Sequence, residues 1–288
     1  MQYLYFYGCQ LPARINYCDL ATRSVANALG LELVDFEDAG CCGFFLRSVN
    51  SKAPIFLAAR IMSLAEKYGL NLMVLCNSCY AHFKDVSNIL SESPELLREV
   101  NGLLANEGLE YISKTRIKDI LQVFYEDYGV DKIKSKVVRT LKGLRVAVHY
   151  GCHLLRPSRI TMFDNPEDPH ILDELVEVTG ASSIYWPLKL WCCGFPTLSV
   201  DQKMGLSLTR SKLRDAMDAG AHCIVTTCPS CQISFDVLQP TISRMYNEEY
   251  NLPVLYYPQL LGLALNLPPE ELGLNLNRAS VKPLMKII

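Results

Sequence analysis

Ten of the twelve cysteines in this 288-residue chain fall into one pattern written twice. The first copy is Cys9, then Cys41-Cys42-Gly43, then Cys76-Asn77-Ser78-Cys79. The second is Cys152, then Cys192-Cys193-Gly194, then Cys228-Pro229-Ser230-Cys231. Between the first cysteine and the pair lie 31 and 39 residues, and between the pair and the C-x-x-C lie 33 and 34. Composition alone does not give five cysteines twice at matched spacing. A fold for this chain must gather each set at one place. Only Cys18 and Cys223 stand outside the pattern, and a small buried hydrophobe is the ordinary role of a free cysteine.

Three chemistries compete for ten such thiols. Disulfide frameworks belong to small domains in oxidising compartments. This chain is half hydrophobic and large enough to bury a core without them. Nor does Met1–Tyr7 carry the basic region and cleavage site of a secretion signal. No apolar stretch reaches the ~20 residues of a membrane helix, so a cytoplasmic protein is expected, where clustered cysteines mean metal or redox chemistry. Zinc takes four ligands in a tetrahedron, one fewer than each set offers. Thiolates suit iron–sulfur clusters as well as zinc, and neighbouring thiolates reach two different irons more easily than one ion. Glycine after the pair would let the backbone turn tightly beside an inorganic core. Iron–sulfur is the favoured reading, with zinc the rival.

The repeat extends beyond the cysteines. Tyr3–Tyr7 leads into Gly8-Cys9, and Arg145–Tyr150 leads into Gly151-Cys152; Leu72–Leu75 and Cys223–Thr227 run straight into the two C-x-x-C segments. Such short apolar runs suit parallel strands covered by helices. Helical stretches are expected at Asp19–Leu29, Pro54–Tyr68, Asp201–Ala219 and Ile233–Tyr246. The alternation predicts an α/β fold of two pseudo-symmetric Rossmann-like halves with parallel sheets, residues 1–143 and 144–288, each carrying one CCG-type cluster site at its strand ends. Residues 102–143 read as a helical connector, clearest over Lys114–Tyr128, and the tail from Pro268 either wraps the body or meets a partner.

A net charge of −2 with no basic stripe gives no support to nucleic-acid binding. Arg14, Arg47 and Lys52 lie in sequence near the first cysteine set, and Arg156, Arg159 and Lys189 near the second. They are candidate binders of an anionic substrate; the plain alternative is solvated surface. His153 directly follows Cys152 and is the candidate proton donor, with His149 a second choice. No G-x-G-x-x-G follows a strand, so electrons must arrive from another protein.

The doubled motif, with the Gly-Cys openings and the segment Cys152-His153-Leu154-Leu155-Arg156-Pro157, resembles the cysteine-rich family named for its Cys-Cys-Gly core. Within it the chain looks most like the B subunits of heterodisulfide reductases from methanogenic archaea. That resemblance implies two noncubane 4Fe–4S clusters, one per set of five cysteines. It implies reduction of the coenzyme M–coenzyme B mixed disulfide to two thiols. The implied partners are a small ferredoxin-like protein (the C subunit), a larger flavin-bearing one (the A subunit), and a hydrogenase or formate dehydrogenase module. The chain lacks the C-x-x-C-x-x-C run of a fused ferredoxin domain. Related proteins serve glycolate, lactate or fumarate enzymes, so an electron-transfer component of such an oxidoreductase is the alternative expectation, and a zinc scaffold the third.

Overall fold

A computed structural model describes residues 1–36 and 39–288. The chain forms two four-stranded parallel sheets, ordered Glu32–Val34, Gln2–Phe6, Asn71–Val74, Ile117–Asp119 and Ser182–Ser183, Arg145–His149, Cys223–Thr226, Val254–Tyr256. The first holds β1 (Gln2–Phe6), β2 (Glu32–Val34), β3 (Asn71–Val74) and β4 (Ile117–Asp119). The second holds β5 (Arg145–His149), β6 (Ser182–Ser183), β7 (Cys223–Thr226) and β8 (Val254–Tyr256). The expected α/β architecture of two related halves is what the chain adopts. Its inner strands are runs of buried side chains because helices cover the sheets. Leu4 lies beside Leu72 in one sheet, and Ala147 beside Ile224 in the other.

In the first half, helix Asn16–Leu29 carries the chain from β1 to β2, and helix Ala53–Tyr68 returns it to β3 on the other side of β1. The second half repeats this with helices Ile171–Glu177 and Gln202–Asp218 around β5. Strand order therefore reverses at β1 and β5. Ligand crevices of α/β sheets open beyond the carboxyl ends of strands at such reversals, where Cys9, Cys76, Cys152 and Cys228 stand.

Two expectations need correction. Lys114–Tyr128 is not one helix: Ile117–Asp119 pairs with Leu72–Val74 as the edge strand β4, and helical turns begin only at Ile120. Pairing with an open sheet edge overrides a local helical pattern. Ile233–Tyr246 is interrupted, with a π-helical segment over Ile233–Val237 and an α-helix over Gln239–Tyr246; Pro240 sits in the first turn, where its missing N–H costs least.

The halves share one core. Helix Asn16–Leu29 packs on helix Tyr257–Ala264, and helix Asn77–Glu92 packs on the short turns Cys152–Leu155 and Ser158–Thr161. The Tyr17 hydroxyl donates to Asp236 Oδ2 across the halves at 2.6 Å, and Asp236 also accepts from the Arg278 and Ala279 N–H groups. The tail thus wraps the body, burying Leu272, Leu274 and Leu284. Burial pushes the Asp236 carboxyl up, while these donors hold it back. Tyr17→Phe should cost about 0.5–1.5 kcal/mol, the usual net worth of one hydrogen bond, because Asp236 keeps the Arg278 and Ala279 donors; urea unfolding would measure it, and an unchanged midpoint would contradict the contact's role. Among the described residues no helix is long and apolar enough to cross a membrane.

Candidate metal centre

Each five-cysteine set comes together. In the first half Cys42 Sγ lies 3.2 Å from Cys79 Sγ, and each thiol shifts its neighbour's acidity in the order Cys9, Cys41, Cys42, Cys79, Cys76. The second half repeats it as Cys152, Cys192, Cys193, Cys231 and Cys228. The C-x-x-C cysteines are buried, and Cys9, Cys41, Cys152 and Cys192 reach outward.

Protons are shared unevenly along each row. Hydrogen bonds from Cys42, then Cys9, with the Gly43 N–H, hold the Cys41 thiol down to about 2. Those from Cys152 and Cys193, with the Gly194 N–H, do the same for Cys192. Cys193, which keeps its proton as the donor to Cys192, is pushed up to about 12. Five crowded sulfurs cannot all ionise without a cation to offset them, and metal binding supplies one by displacing the protons.

The residues fit an iron–sulfur group. All five donors in a set are thiols, the usual ligands of such clusters. Asn77 Oδ1, His82 Nδ1, Thr227 Oγ1 and Ser234 Oγ, all within a turn of the C-x-x-C cysteines, are buried without partners among the described residues. Among the same residues no three His, Cys, Asp or Glu side chains close on a point as ligands of a single ion would. The fit therefore rests on donor number and chemistry.

The glycines after the cysteine pairs have a specific task. Gly43 and Gly194 sit at φ +88° and +90°, and their N–H groups donate to Cys41 and Cys192 Sγ at 3.4 Å. A Cβ on Gly43 would fall 2.9 Å from Pro54 Cα, and one on Gly194 only 2.3 Å from the Gly205 carbonyl oxygen. Glycine was expected to let the backbone approach a cluster; the close approach seen is to the following helix.

The two sites are neighbours. A crevice at the first set, about 310 Å³ including its open mouth, and one at the second, about 670 Å³, are both lined by Phe44, Phe45, Ser78 and Ser230. The buried Tyr256 hydroxyl lies against the carbonyls of both Leu75 and Thr227, tying together the residues just before Cys76 and Cys228. None of these residues was singled out in the sequence, although Phe44 and Phe195 extend both Cys-Cys-Gly motifs and Ser78 and Ser230 lie inside both C-x-x-C segments.

His153 lines the second crevice with its ring 4.9 Å from Phe44. Burial, with repulsion from Arg47, lowers its pKa. His149 is buried, with Nε2 3.3 Å from Cys231 Sγ and Nδ1 3.1 Å from the Lys189 carbonyl. Of the six cations, Arg47 stands against the shared wall, 5.8 Å over the Phe44 ring while paired with Asp85 at 2.8 Å. Lys52 pairs with Glu99 at 2.6 Å and Lys189 with Asp173 at 2.7 Å. Arg156 donates to the Pro166 carbonyl, and Arg159 lines a separate groove with Lys84 and Arg116. Arg14 is exposed at the end of the turn that follows Cys9. The structure does not gather these six into one vestibule. Cys18 and Cys223 are fully buried in the core.

A model of the cysteine-rich domain, CCG, matches residues 3–84 and 146–236. The chain is 36% identical over 277 residues to the B subunit of the Ferredoxin/F(420)H(2)-dependent CoB-CoM heterodisulfide reductase of Methanosarcina acetivorans, covering 94% of this chain and 92% of that protein. It is 31% identical to the membrane anchor of the 8-methylmenaquinol:fumarate reductase of Wolinella succinogenes, covering 96% of both. Among solved structures, a hypothetical protein from Helicobacter pylori superposes with a TM-score of 0.78 at 15% identity, over 97% of this chain and 52% of that one, a likeness of fold.

Proposed function

The chain belongs to the cysteine-rich CCG-domain family, and on that footing we propose that it is the disulfide-reducing component of an iron–sulfur reductase complex. Residues 1–143 and 144–288 are its two working halves. The observation that carries this reading is the wall shared by the two crevices, built from Phe44, Phe45, Ser78 and Ser230. A carrier that only relays electrons has no need of paired sites opening on a common space. When bound, a noncubane 4Fe–4S cluster at each cysteine set supplies electrons singly and a Lewis-acidic iron. The overall change breaks one S–S bond with two electrons and two protons and yields two thiols.

The chain's own residues do the rest. Phe44, Phe45 and Phe195 line the crevices, giving an apolar surface that excludes water and holds an alkyl arm of the substrate. Arg47, half exposed above Phe44, attracts an anionic tail. His153 lies in the second crevice, positioned to hand a proton to a departing sulfur. The similarity to the Methanosarcina protein makes the coenzyme M–coenzyme B disulfide the first substrate to try. A ferredoxin-like C subunit and a flavin-bearing A subunit, fed by a hydrogenase or formate dehydrogenase, are the partners, and the cytoplasm the place.

The purified complex should oxidise a reduced viologen dye when given that disulfide. No dye oxidation with any thiol-derived disulfide would overturn the reading. It would favour the alternative, an electron-transfer component of a fumarate-linked oxidoreductase like the Wolinella relative, in which fumarate would oxidise the reduced dye, or of a 2-hydroxy-acid-linked one, in which the hydroxy acid would instead reduce an oxidised dye.

A further inference from the structure

The two cysteine sets match in spacing but not in what lies behind them. Lys212, on helix Gln202–Asp218, is 1% exposed. Its ammonium donates to the Leu188 carbonyl and lies 4.4 Å over the Trp186 ring and 6.0 Å from the Phe235 ring. Among the described residues it has no ion pair, and the nearby Asp215 accepts instead from the Leu188 N–H at 2.8 Å. A buried cation is costly unless negative charge stands near it. The Phe235 ring it faces also lies 5.0 Å from the His149 ring, whose Nε2 is 3.3 Å from Cys231 Sγ, so the ammonium stands behind the second cysteine set. Burial pulls the amine down only to about 8, so it stays charged at neutral pH. In the first half the residue as far after Gly43 as Lys212 is after Gly194 is Ile61, buried and apolar. There the buried His82 is held toward its neutral form by desolvation, and Arg47 is exposed and paired.

We propose that Lys212 makes the second cysteine set the more easily reduced of the two, acting as a positioning charge for the electrons rather than as a catalytic group. The proposal rests on the reading that each set binds an iron–sulfur cluster. A fixed positive charge in a low-dielectric surrounding stabilises the reduced, more negative state of a nearby centre, and local charge is one of the factors that set cluster potentials. Two sites of equal spacing would thereby take up electrons in a fixed order.

The test is a redox titration followed by electron paramagnetic resonance, with iron content determined first. Absence of iron would sink the cluster reading itself; iron in place with the wrong potentials would sink only this inference. In Lys212→Met the second cluster should become harder to reduce by at least about tenfold, about 59 mV for one electron, with the first unmoved, and Lys212→Arg should keep the wild-type value. An unmoved second potential in an iron-replete Lys212→Met protein overturns the proposal. Should that variant not fold, comparison of Cys42→Ser, which leaves the second cluster, with Cys193→Ser, which leaves the first, decides alone. A second-site potential no higher than the first overturns it.

Discussion

Replacing either Cys42 or Cys193 with serine should abolish disulfide reduction, lowering turnover by more than about a hundredfold rather than by half. Both thiols are nearly fully buried in the middle of their rows, each in contact with the outward-reaching cysteine before it and with the last cysteine of its C-x-x-C. Serine offers a harder oxygen where soft thiolate ligation is wanted. Lewis-acid stabilisation of departing groups is worth several kcal/mol, and each 1.36 kcal/mol is about a factor of ten in rate. Residues that act as a unit lose their effect together. Because the crevices share one wall, loss of one set removes half of a joint site. Each variant must first be shown to keep the other cluster. A substantial fraction of wild-type turnover in either would mean that one set is only a relay.

Gly194→Ala should be the most damaging single-methyl change near the sites. The residue holds φ +90°, and its new Cβ would meet the Gly205 carbonyl oxygen at 2.3 Å and Thr209 Oγ1 at 3.0 Å. Left-handed backbone costs an L-residue roughly 1–2 kcal/mol, and overpacking adds about 1–3 kcal/mol. Thr209 also donates to the Cys193 carbonyl at 2.7 Å, so relief of the clash moves the cysteine pair. Gly30→Ala is the control: its φ is +70° and nothing lies within 4 Å of the added carbon, leaving backbone strain alone. Thermal unfolding and iron content should show Gly194→Ala the less stable of the two and depleted at one site. Equal losses would mean that the helix contact does not hold the pair in place.

The duplicated cysteines and the strands beside them were readable because spacing and apolar runs are local properties. Helix Asn77–Glu92 escaped notice because it starts inside the C-x-x-C, its first residues buried against the second half. β4 escaped because three residues, Ile117–Asp119, become a strand only by meeting Leu72–Val74. Side-chain partners are equally non-local. Lys52 and Lys189 look free in sequence, but Glu99 and Asp173 lie 47 and 16 residues further along or back. Lys212 reads as one more polar position on an amphipathic helix until Trp186 and Leu188 close over it.

The central claim is that each five-cysteine set holds one iron–sulfur cluster, and iron with acid-labile sulfide, counted per chain in the anaerobically purified protein, tests it most directly. The account predicts a brown protein with about eight irons and eight sulfides per chain, from two 4Fe–4S centres, falling to about four of each in Cys42→Ser. A colourless protein carrying zinc, or a Cys42→Ser protein with undiminished iron, would contradict it.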